Sequence, residues 1–225
     1  RSTLPNAQRV IDQIQDLGRE AVFFNINAAD EEKRRKVLDG VRERLPQGEH
    51  VKVLMHSLAF GTLRPYVPPD SQEAVSKAQM EMTLDVMAHS LVYWVQEMAY
   101  RDLLGPGGRV FAMTSAGSHR VWPAYGPVGC AKAALEYHIK HLAVELVTRG
   151  VAVNAIQAGV TDTPALRKIP GHAEMLAFAE QRNPGGRTTT PQDVARAIAL
   201  LSRGDVAWMT GNVIGVDGGE DLVMI

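Results

Sequence analysis

The sequence predicts an α/β fold in which helices cover both faces of a parallel sheet. Two short apolar runs, at 110–113 and 151–156, do not alternate with polar residues, which is typical of strands buried on both faces. A polar loop and a segment of helical character separate the two runs, and a helix is the usual crossover between parallel strands. We therefore expect a doubly wound sheet centred on residues 109–159.

Length and composition favour one domain. The chain has 225 residues, enough for a single α/β domain, residues 1–225, with a sizeable core. The formal net charge is −1 and no basic stripe is present, so nucleic acid is not an expected partner. The single cysteine, Cys130, excludes an internal disulfide and suits a reducing compartment. No apolar stretch approaches the length of a membrane span, and we expect a cytoplasmic protein without a membrane partner.

Residues 4–55 are expected to supply two helices and two strands. Apolar residues at helical spacing predict a helix over 4–17, which Gly18 ends. Apolar runs predict strands at 21–26 and 51–55, on either side of a charged helix at 31–45.

The helix at 31–45 has an identifiable beginning and an exposed face. Asp30 is expected to cap it by accepting a hydrogen bond from a backbone N–H of the first turn. Its charge run is most simply a solvated face. The expected i,i+4 ion pairs are Glu31 with Arg35 and Glu32 with Lys36.

The chain continues with a Pro-rich loop at 62–77 and a long helix at 78–104. The apolar residues of this helix occupy more than one face, so it is either deep in the core or packed against another subunit. The other predicted elements are a connection at 157–190 with a short helix near 171–181, a helix at 191–203 that begins at Pro191, and a strand at 213–216.

A glycine-rich turn of the kind that binds a pyrophosphate does not follow any strand of the sequence. A doubly wound dinucleotide fold begins with a strand, such a turn and a helix, whereas this sequence begins with what corresponds to the second helix. A sheet without the N-terminal β-α-β portion would leave strand edges unpaired. We expect the sequence to be an N-terminally incomplete form of a longer protein.

Tyr125 and Lys132 are the residues that point most directly to chemistry. They lie seven residues apart, close to two helical turns, so both side chains are expected on the same face of a helix. An ammonium beside a phenol favours the phenolate and lowers the pKa of the phenol, which suits a proton donor near neutral pH. The alternative is an exposed tyrosine and a solvated lysine with no shared role.

Three stretches of the second half carry a resemblance to a known family: PAYGPVGCAKAALE, VAVNAIQAGVTDTPAL and VIGVDGG. They resemble the short-chain dehydrogenase/reductases, most of which place the catalytic lysine four residues after the tyrosine, where this sequence has Gly129. The longer spacing here is similar to that of the enoyl-acyl carrier protein reductases. The resemblance implies a Rossmann-like fold, NADPH or NADH as cofactor, and reduction of the C2–C3 double bond of a trans-2-enoyl thioester of acyl carrier protein or CoA. It also implies a homotetramer formed through the helix at 78–104 and the helix after Tyr125.

The resemblance implies roles for individual residues. Tyr125 would donate a hydrogen bond to the enolate oxygen, Lys132 would hold the cofactor ribose and lower the tyrosine pKa, and Ser115 would assist or shape the pocket. Many relatives have a second tyrosine at the position of Ser115. The implied cofactor-binding residues are Asn27, Ala28, Ser57, Leu58, Ala59, Lys132, Gly159, Val160, Thr161 and Thr163. No metal ligand is expected.

Several residues allow a plainer interpretation. His56 is more often a structural histidine than a catalyst, and Thr161 and Thr163 are equally suited to local turns. Met87 stands where ordinary members have an asparagine for a relay water, which disfavours a carbonyl or β-ketoacyl reductase, the first alternative function. The second alternative is a catalytically silent oligomerisation partner. The loop at 160–187 is expected to be a lid over an acyl chain, through Met175, Leu176 and Phe178.

Overall fold

The computed structural model describes residues 3–223, in which one or two α-helices separate each strand from the next. The helices are α1 (Thr3–Asp16), α2 (Glu31–Arg44), α3 (Lys77–Leu84), α4 (Ser90–Tyr100), α5 (Gly126–Leu146), α6 (His172–Arg182) and α7 (Pro191–Leu201). The strands are β1 (Val53–His56), β2 (Arg109–Thr114), β3 (Ala152–Ala158) and β4 (Val213–Val216).

The four strands form a parallel sheet in the order β1-β2-β3-β4. Side chains alternate between its faces: Val110 and Ala112 of β2 pack in the larger core, which α3, α4 and α5 complete. Phe111 and Ile156 lie in a second cluster on the opposite face, with Val194 of α7. Helices therefore cover both faces, which confirms the predicted doubly wound, Rossmann-like α/β fold.

The predicted strand at 21–26 is wrong. These residues form no regular structure, and Val22, Phe23 and Phe24 leave 43%, 41% and 38% of their surface exposed. A strand requires a neighbour that accepts and donates its backbone hydrogen bonds. Within residues 3–223, β1 is an edge strand that pairs with β2 alone, so the apolar run has no ladder to join.

The predicted helix at 78–104 is shorter and interrupted. A capping box between Ser76 and Gln79 starts α3, a π-helical segment follows at Asp85–His89, and α4 ends at Tyr100. The chain then turns through Asp102, whose φ of 52° cannot continue a helix. The buried apolar residues of this region, which fit the deep-core alternative, are Met87, Ala88, Leu91, Val95 and Met98. A subunit interface on the remaining surface stays a prediction.

The charged helix and the later elements confirm the sequence analysis closely. The Asp30 carboxylate accepts a hydrogen bond from Lys33 N at 3.0 Å and caps α2. Its expected ion pairs are both formed, Arg35 with Glu31 at 2.6 Å and Lys36 with Glu32 at 2.7 Å. In the part of the chain that the structure describes, no helix is long and apolar enough to cross a membrane.

Candidate active site

Tyr125 lies at the start of α5, and two glycines allow the loop after β2 to pack closely around it. A Cβ at Gly117 would approach Tyr125 Cε1 to 2.4 Å, so only glycine fits beneath the ring. A Cβ at Gly129 would lie 2.6 Å from the carbonyl oxygen of Gly117. These close approaches fix the polar loop after β2 against the first turn of α5. No local pattern reveals the packing role of either glycine, and Gly117 was not identified from the sequence.

Ser115 follows β2 directly and faces Tyr125, with 3.5 Å between Ser115 Oγ and the tyrosine hydroxyl. Burial raises the pKa of Tyr125, and the hydrogen bond with Ser115 only partly opposes this effect. The expectation that Lys132 lowers the tyrosine pKa is therefore wrong for this structure. A phenol with a raised pKa keeps its proton at neutral pH and can donate it in a hydrogen bond.

Lys132 is buried, with 7% of its surface exposed, and its Nζ donates a hydrogen bond of 2.6 Å to the carbonyl oxygen of Met113. Burial lowers the pKa of Lys132 to about 8, while the negative charge of Glu136 acts in the opposite direction. Tyr125 meets Ser115 and Lys132 meets Met113, so both side chains reach the carboxyl end of β2. The shared direction expected from their spacing is thus seen in the structure, while their roles stay a prediction.

His56 ends β1 and is held inside the protein. Its Nε2 lies 2.8 Å from Ser90 Oγ, and that hydroxyl donates its own hydrogen to the carbonyl oxygen of Val86 at 2.8 Å. Because the serine hydrogen is used, His56 Nε2 must be the donor in their contact. Burial, followed by the charge of Lys132, lowers the pKa of His56 to about 4. The histidine is therefore neutral at pH 7, which supports the structural role.

The residues expected near adenine and the adenosine ribose lie in irregular segments. The Asn27 carboxamide accepts a hydrogen bond from Ala29 N at 3.1 Å, and the Ala28 carbonyl accepts one from Trp94 Nε1 at 2.9 Å. These contacts fix the Asn27–Ala28 segment against α4. Three other expected binding residues form an irregular stretch at the carboxyl end of β1: Ser57, Leu58 and Ala59.

The segment after β3 is already hydrogen-bonded within the protein. Val160 N donates to the carboxylate of Glu220 at 3.1 Å, and Thr161 Oγ1 donates to the carbonyl oxygen of Gly159 at 2.9 Å. Thr163 Oγ1 accepts a hydrogen bond from Leu166 N at 3.2 Å. In this structure both threonine hydroxyls make local turn contacts, which agrees with the plainer interpretation of these residues.

Glu220 and Asp221 are neighbours of this segment that the sequence analysis did not identify. A Cβ at Gly159 would lie 2.9 Å from Glu220 Oε2, so the carboxylate packs directly on the backbone there. Burial raises the pKa of Glu220. Asp221 accepts hydrogen bonds from His119 Nε2 at 2.9 Å and Gln157 Nε2 at 3.0 Å. The two acidic residues thus join the C-terminal loop to the ends of β2 and β3, and nothing in their local sequence signals these contacts.

A pocket of about 490 Å³ opens beside Tyr125. Its wall includes Tyr66, Trp122 and Pro123, and a Cβ at Gly126 would approach Tyr66 Cζ to 2.6 Å. The volume lies in the range of small-molecule sites. The residues expected to form a lid lie on α6 and do not line this pocket: Met175, Leu176 and Phe178.

The arrangement fits the nicotinamide end of a dinucleotide in part. At the carboxyl end of β2, Lys132 supplies a hydrogen-bond donor, and Tyr125 and Ser115 supply hydroxyl groups. Ligands of parallel sheets bind beyond the carboxyl ends of the strands. Two observations limit the fit. Val160 N is occupied by Glu220, and among residues 3–223 no strand leads through a glycine-rich turn into a helix of the kind that binds pyrophosphate.

Comparison with known proteins places the chain in the class of α/β oxidoreductases. The chain belongs to the enoyl-(acyl carrier protein) reductase family, whose model matches residues 3–220. It is 30% identical over 203 residues to an NADH enoyl-acyl-carrier-protein reductase of Nostoc sp., covering 90% of this chain and 76% of the relative. It is 33% identical over 168 residues to the corresponding Escherichia coli reductase, covering 75% of this chain and 63% of that protein.

A solved structure supports the fold assignment. The enoyl-acyl carrier protein reductase of Bacillus cereus, in complex with NADP+ and indole naphthyridinone, superimposes with a TM-score of 0.86 at 25% identity. The superposition covers 98% of this chain and 82% of the other.

Proposed function

We propose that the protein reduces the C2–C3 double bond of a trans-2-enoyl thioester with hydride from NADH or NADPH. The observation that carries the proposal is the position of Tyr125, Ser115 and Lys132 at the carboxyl end of β2. Of the three, Tyr125 also lines the pocket of about 490 Å³. The nicotinamide cofactor, when bound, supplies the hydride. The protein residues orient the substrate and stabilise the charge that develops on it.

Tyr125 is the proposed hydrogen-bond donor to the thioester oxygen, on which enolate charge develops. Because burial raises its pKa, the hydroxyl keeps its proton at neutral pH. A donor held in place before the reaction helps most where charge appears in the transition state. Ser115, within 3.5 Å of that hydroxyl, orients it or shapes the pocket.

Lys132 is proposed to hold the hydroxyls of the nicotinamide ribose through its Nζ, which at present donates to Met113 O. The remaining proposed contacts with the cofactor are made by Asn27, Ala28, Ser57, Leu58, Ala59, Gly159, Val160, Thr161 and Thr163. For Val160, the contact requires that the Glu220 carboxylate give up the backbone N–H. The lid role of Met175, Leu176 and Phe178 is also part of the proposal.

The proposed substrate is a thioester of acyl carrier protein or CoA. The relatives are named as reductases of acyl-carrier-protein substrates, which supports the first carrier. We also propose a cytoplasmic homotetramer, in each subunit of which residues 1–225 belong to a single Rossmann-like reductase domain. An exposed free thiol at Cys130 suits a reducing compartment, and exposed Tyr100 and Tyr137, on α4 and α5, suit a subunit interface.

The test is an assay with paired substrates. Crotonyl-CoA and acetoacetyl-CoA have the same chain length and differ in the group that is reduced, and each is offered with NADH and with NADPH. Oxidation of the cofactor with crotonyl-CoA alone supports enoyl reduction. Oxidation with acetoacetyl-CoA alone identifies the carbonyl-reductase alternative, and no oxidation with either contradicts the proposal. Light scattering in the same buffer tests the tetramer, which a monomer at micromolar concentration would exclude.

A further inference from the structure

Glu136 lies one helical turn after Lys132 on α5 and is anchored at the end of β2. Thr114 Oγ1 donates a hydrogen bond of 2.5 Å to Glu136 Oε1. Thr114 is the last residue of β2 and only 4% of its surface is exposed, so this contact lies at the edge of the core. A hydroxyl donor this close to a carboxylate is typical of a charge-assisted hydrogen bond.

Two successive residues of β2 hold two oppositely charged side chains of α5. The Met113 carbonyl accepts from Lys132 Nζ at 2.6 Å, and the Thr114 hydroxyl donates to Glu136. The lysine and the glutamate are four residues apart, so they project from the same face of the helix. The strand end therefore holds the lysine and, on the same face of α5, a carboxylate whose charge acts on it.

The other titratable groups that face Lys132 do not provide a negative charge. His56, at the end of β1, is neutral because burial and the lysine charge lower its pKa to about 4. Tyr125, at the start of α5, keeps its proton because burial raises its pKa. Burial itself favours the neutral amine of Lys132, and Glu136 is the group that opposes this effect.

We infer that Glu136, anchored by Thr114, is a positioning residue whose charge keeps Lys132 protonated at the carboxyl end of β2. The inference rests on the proposed function in one respect, because a charged lysine there is the donor assigned to the cofactor ribose. The contact of Glu136 with Thr114 would also join α5 to the sheet. A purely structural role of that kind changes stability and leaves the titration of Lys132 unchanged.

The experiment measures the titration of Lys132 directly, in protein without cofactor. Lysines labelled with ¹³C at Cε are followed by NMR across pH, and the Lys132 signal is assigned from its loss in Lys132→Arg. In Glu136→Gln, which keeps the shape of the side chain and removes its charge, we expect the ratio of deprotonated to protonated Lys132 at a fixed pH to rise about tenfold. The alkaline limb of kcat/KM for crotonyl-CoA reduction should move to lower pH to the same extent.

Three further variants separate charge from packing. Glu136→Asp retains a carboxylate and should restore most of the wild-type titration, whereas Thr114→Val should shift it in the same direction as Glu136→Gln but less. Glu145→Gln, an exposed change on the same helix, should leave it unchanged. An unaltered Lys132 titration in folded Glu136→Gln overturns the inference; if that variant does not fold, an unaltered titration in Thr114→Val does so. A shifted titration in a protein that reduces no enoyl thioester supports the inference and rejects the proposed function.

Discussion

The carboxyl ends of β2 and β3 lie side by side in the sheet, and their polar groups are bonded in different ways. At the end of β2, α5 presents Tyr125 and Lys132, whose partners there are a hydroxyl and one carbonyl oxygen. At the end of β3, Val160 and Gln157 bind carboxylates of the C-terminal loop. A ligand can add contacts to the first set with little rearrangement. At the second set it must replace existing hydrogen bonds, so the two ends should respond differently to mutation.

The largest effect is expected at the end of β2. Tyr125→Phe should lower kcat for enoyl reduction by about 10²–10³, because it removes one donor from the position where oxyanion charge develops. Cofactor affinity, measured by fluorescence titration, should change little. The matched control is Tyr137→Phe on the same helix, whose side chain is 61% exposed. Equal turnover in the wild type and Tyr125→Phe would remove the tyrosine from the proposed mechanism.

The next effect concerns the packing that supports Tyr125. In Gly129→Ala the new Cβ would lie 2.6 Å from the Gly117 carbonyl oxygen, a backbone atom that cannot move without its loop. The overpacking should cost about 1–3 kcal/mol, more than the gain in helix propensity of roughly 1 kcal/mol. Urea denaturation should therefore show a less stable protein.

Gly204→Ala is the control for this change, because a Cβ at Gly204 meets nothing within 4 Å and the residue has no positive φ. We expect it to keep wild-type stability or exceed it slightly. A Gly129→Ala variant that was as stable as Gly204→Ala would show that the loop after β2 yields easily and does not fix the tyrosine.

A smaller effect is expected where the C-terminal loop meets the end of β3. Asp221→Asn removes the charge that binds His119, Arg120 and Gln157 at distances of 2.6–3.0 Å. Because these groups are partly exposed, we expect a loss of about 1 kcal/mol in unfolding free energy. Asp162→Asn provides the comparison, since its ion pair with Arg167 is more exposed. Equal losses of unfolding free energy in the two variants would show that the contacts of Asp221 stabilise the protein no more than an exposed ion pair does.

The functional residues at the carboxyl end of β2 could be predicted from the sequence. Most of the contacts at the carboxyl end of β3 could not. Tyr125 and Lys132 follow from helical periodicity and from the position of a buried run, both of which are local patterns. Glu220 and Asp221 contact residues about 60 positions earlier, and no local pattern encodes a contact of that range. Gly129 was noted as the place of a missing lysine, whereas the structure shows it as a point of close backbone approach.

The failed strand prediction has a similar cause. The run at 21–26 has the composition of a buried strand, but a strand is a property of two segments and not of one. In the described chain nothing pairs with it. The lower pKa expected for Tyr125 failed because the spacing of two residues says nothing about burial, which is the larger influence on this phenol.

The smallest predicted effect tests whether burial of Glu220 opposes ionisation of its carboxyl group, against the hydrogen bond from Val160 N, which favours the charged form. Burial raises the pKa of Glu220 above its ordinary value, so the folded protein binds its proton more tightly than the unfolded chain does. The carboxyl group therefore reduces stability as the pH rises through that raised pKa. Glu220→Gln, which is neutral at every pH and can still accept from Val160 N, should raise the Tm by about 1 °C at pH 7. The gain should shrink as the pH is lowered to 4, where the wild-type carboxyl is also largely protonated.

Glu180→Gln, an exposed change on α6, should show no pH-dependent gain. Two results would contradict this prediction: a Tm that fell at pH 7, or a gain of equal size at both pH values. Either result would mean that ionisation of Glu220 at the end of β3 does not destabilise the folded protein.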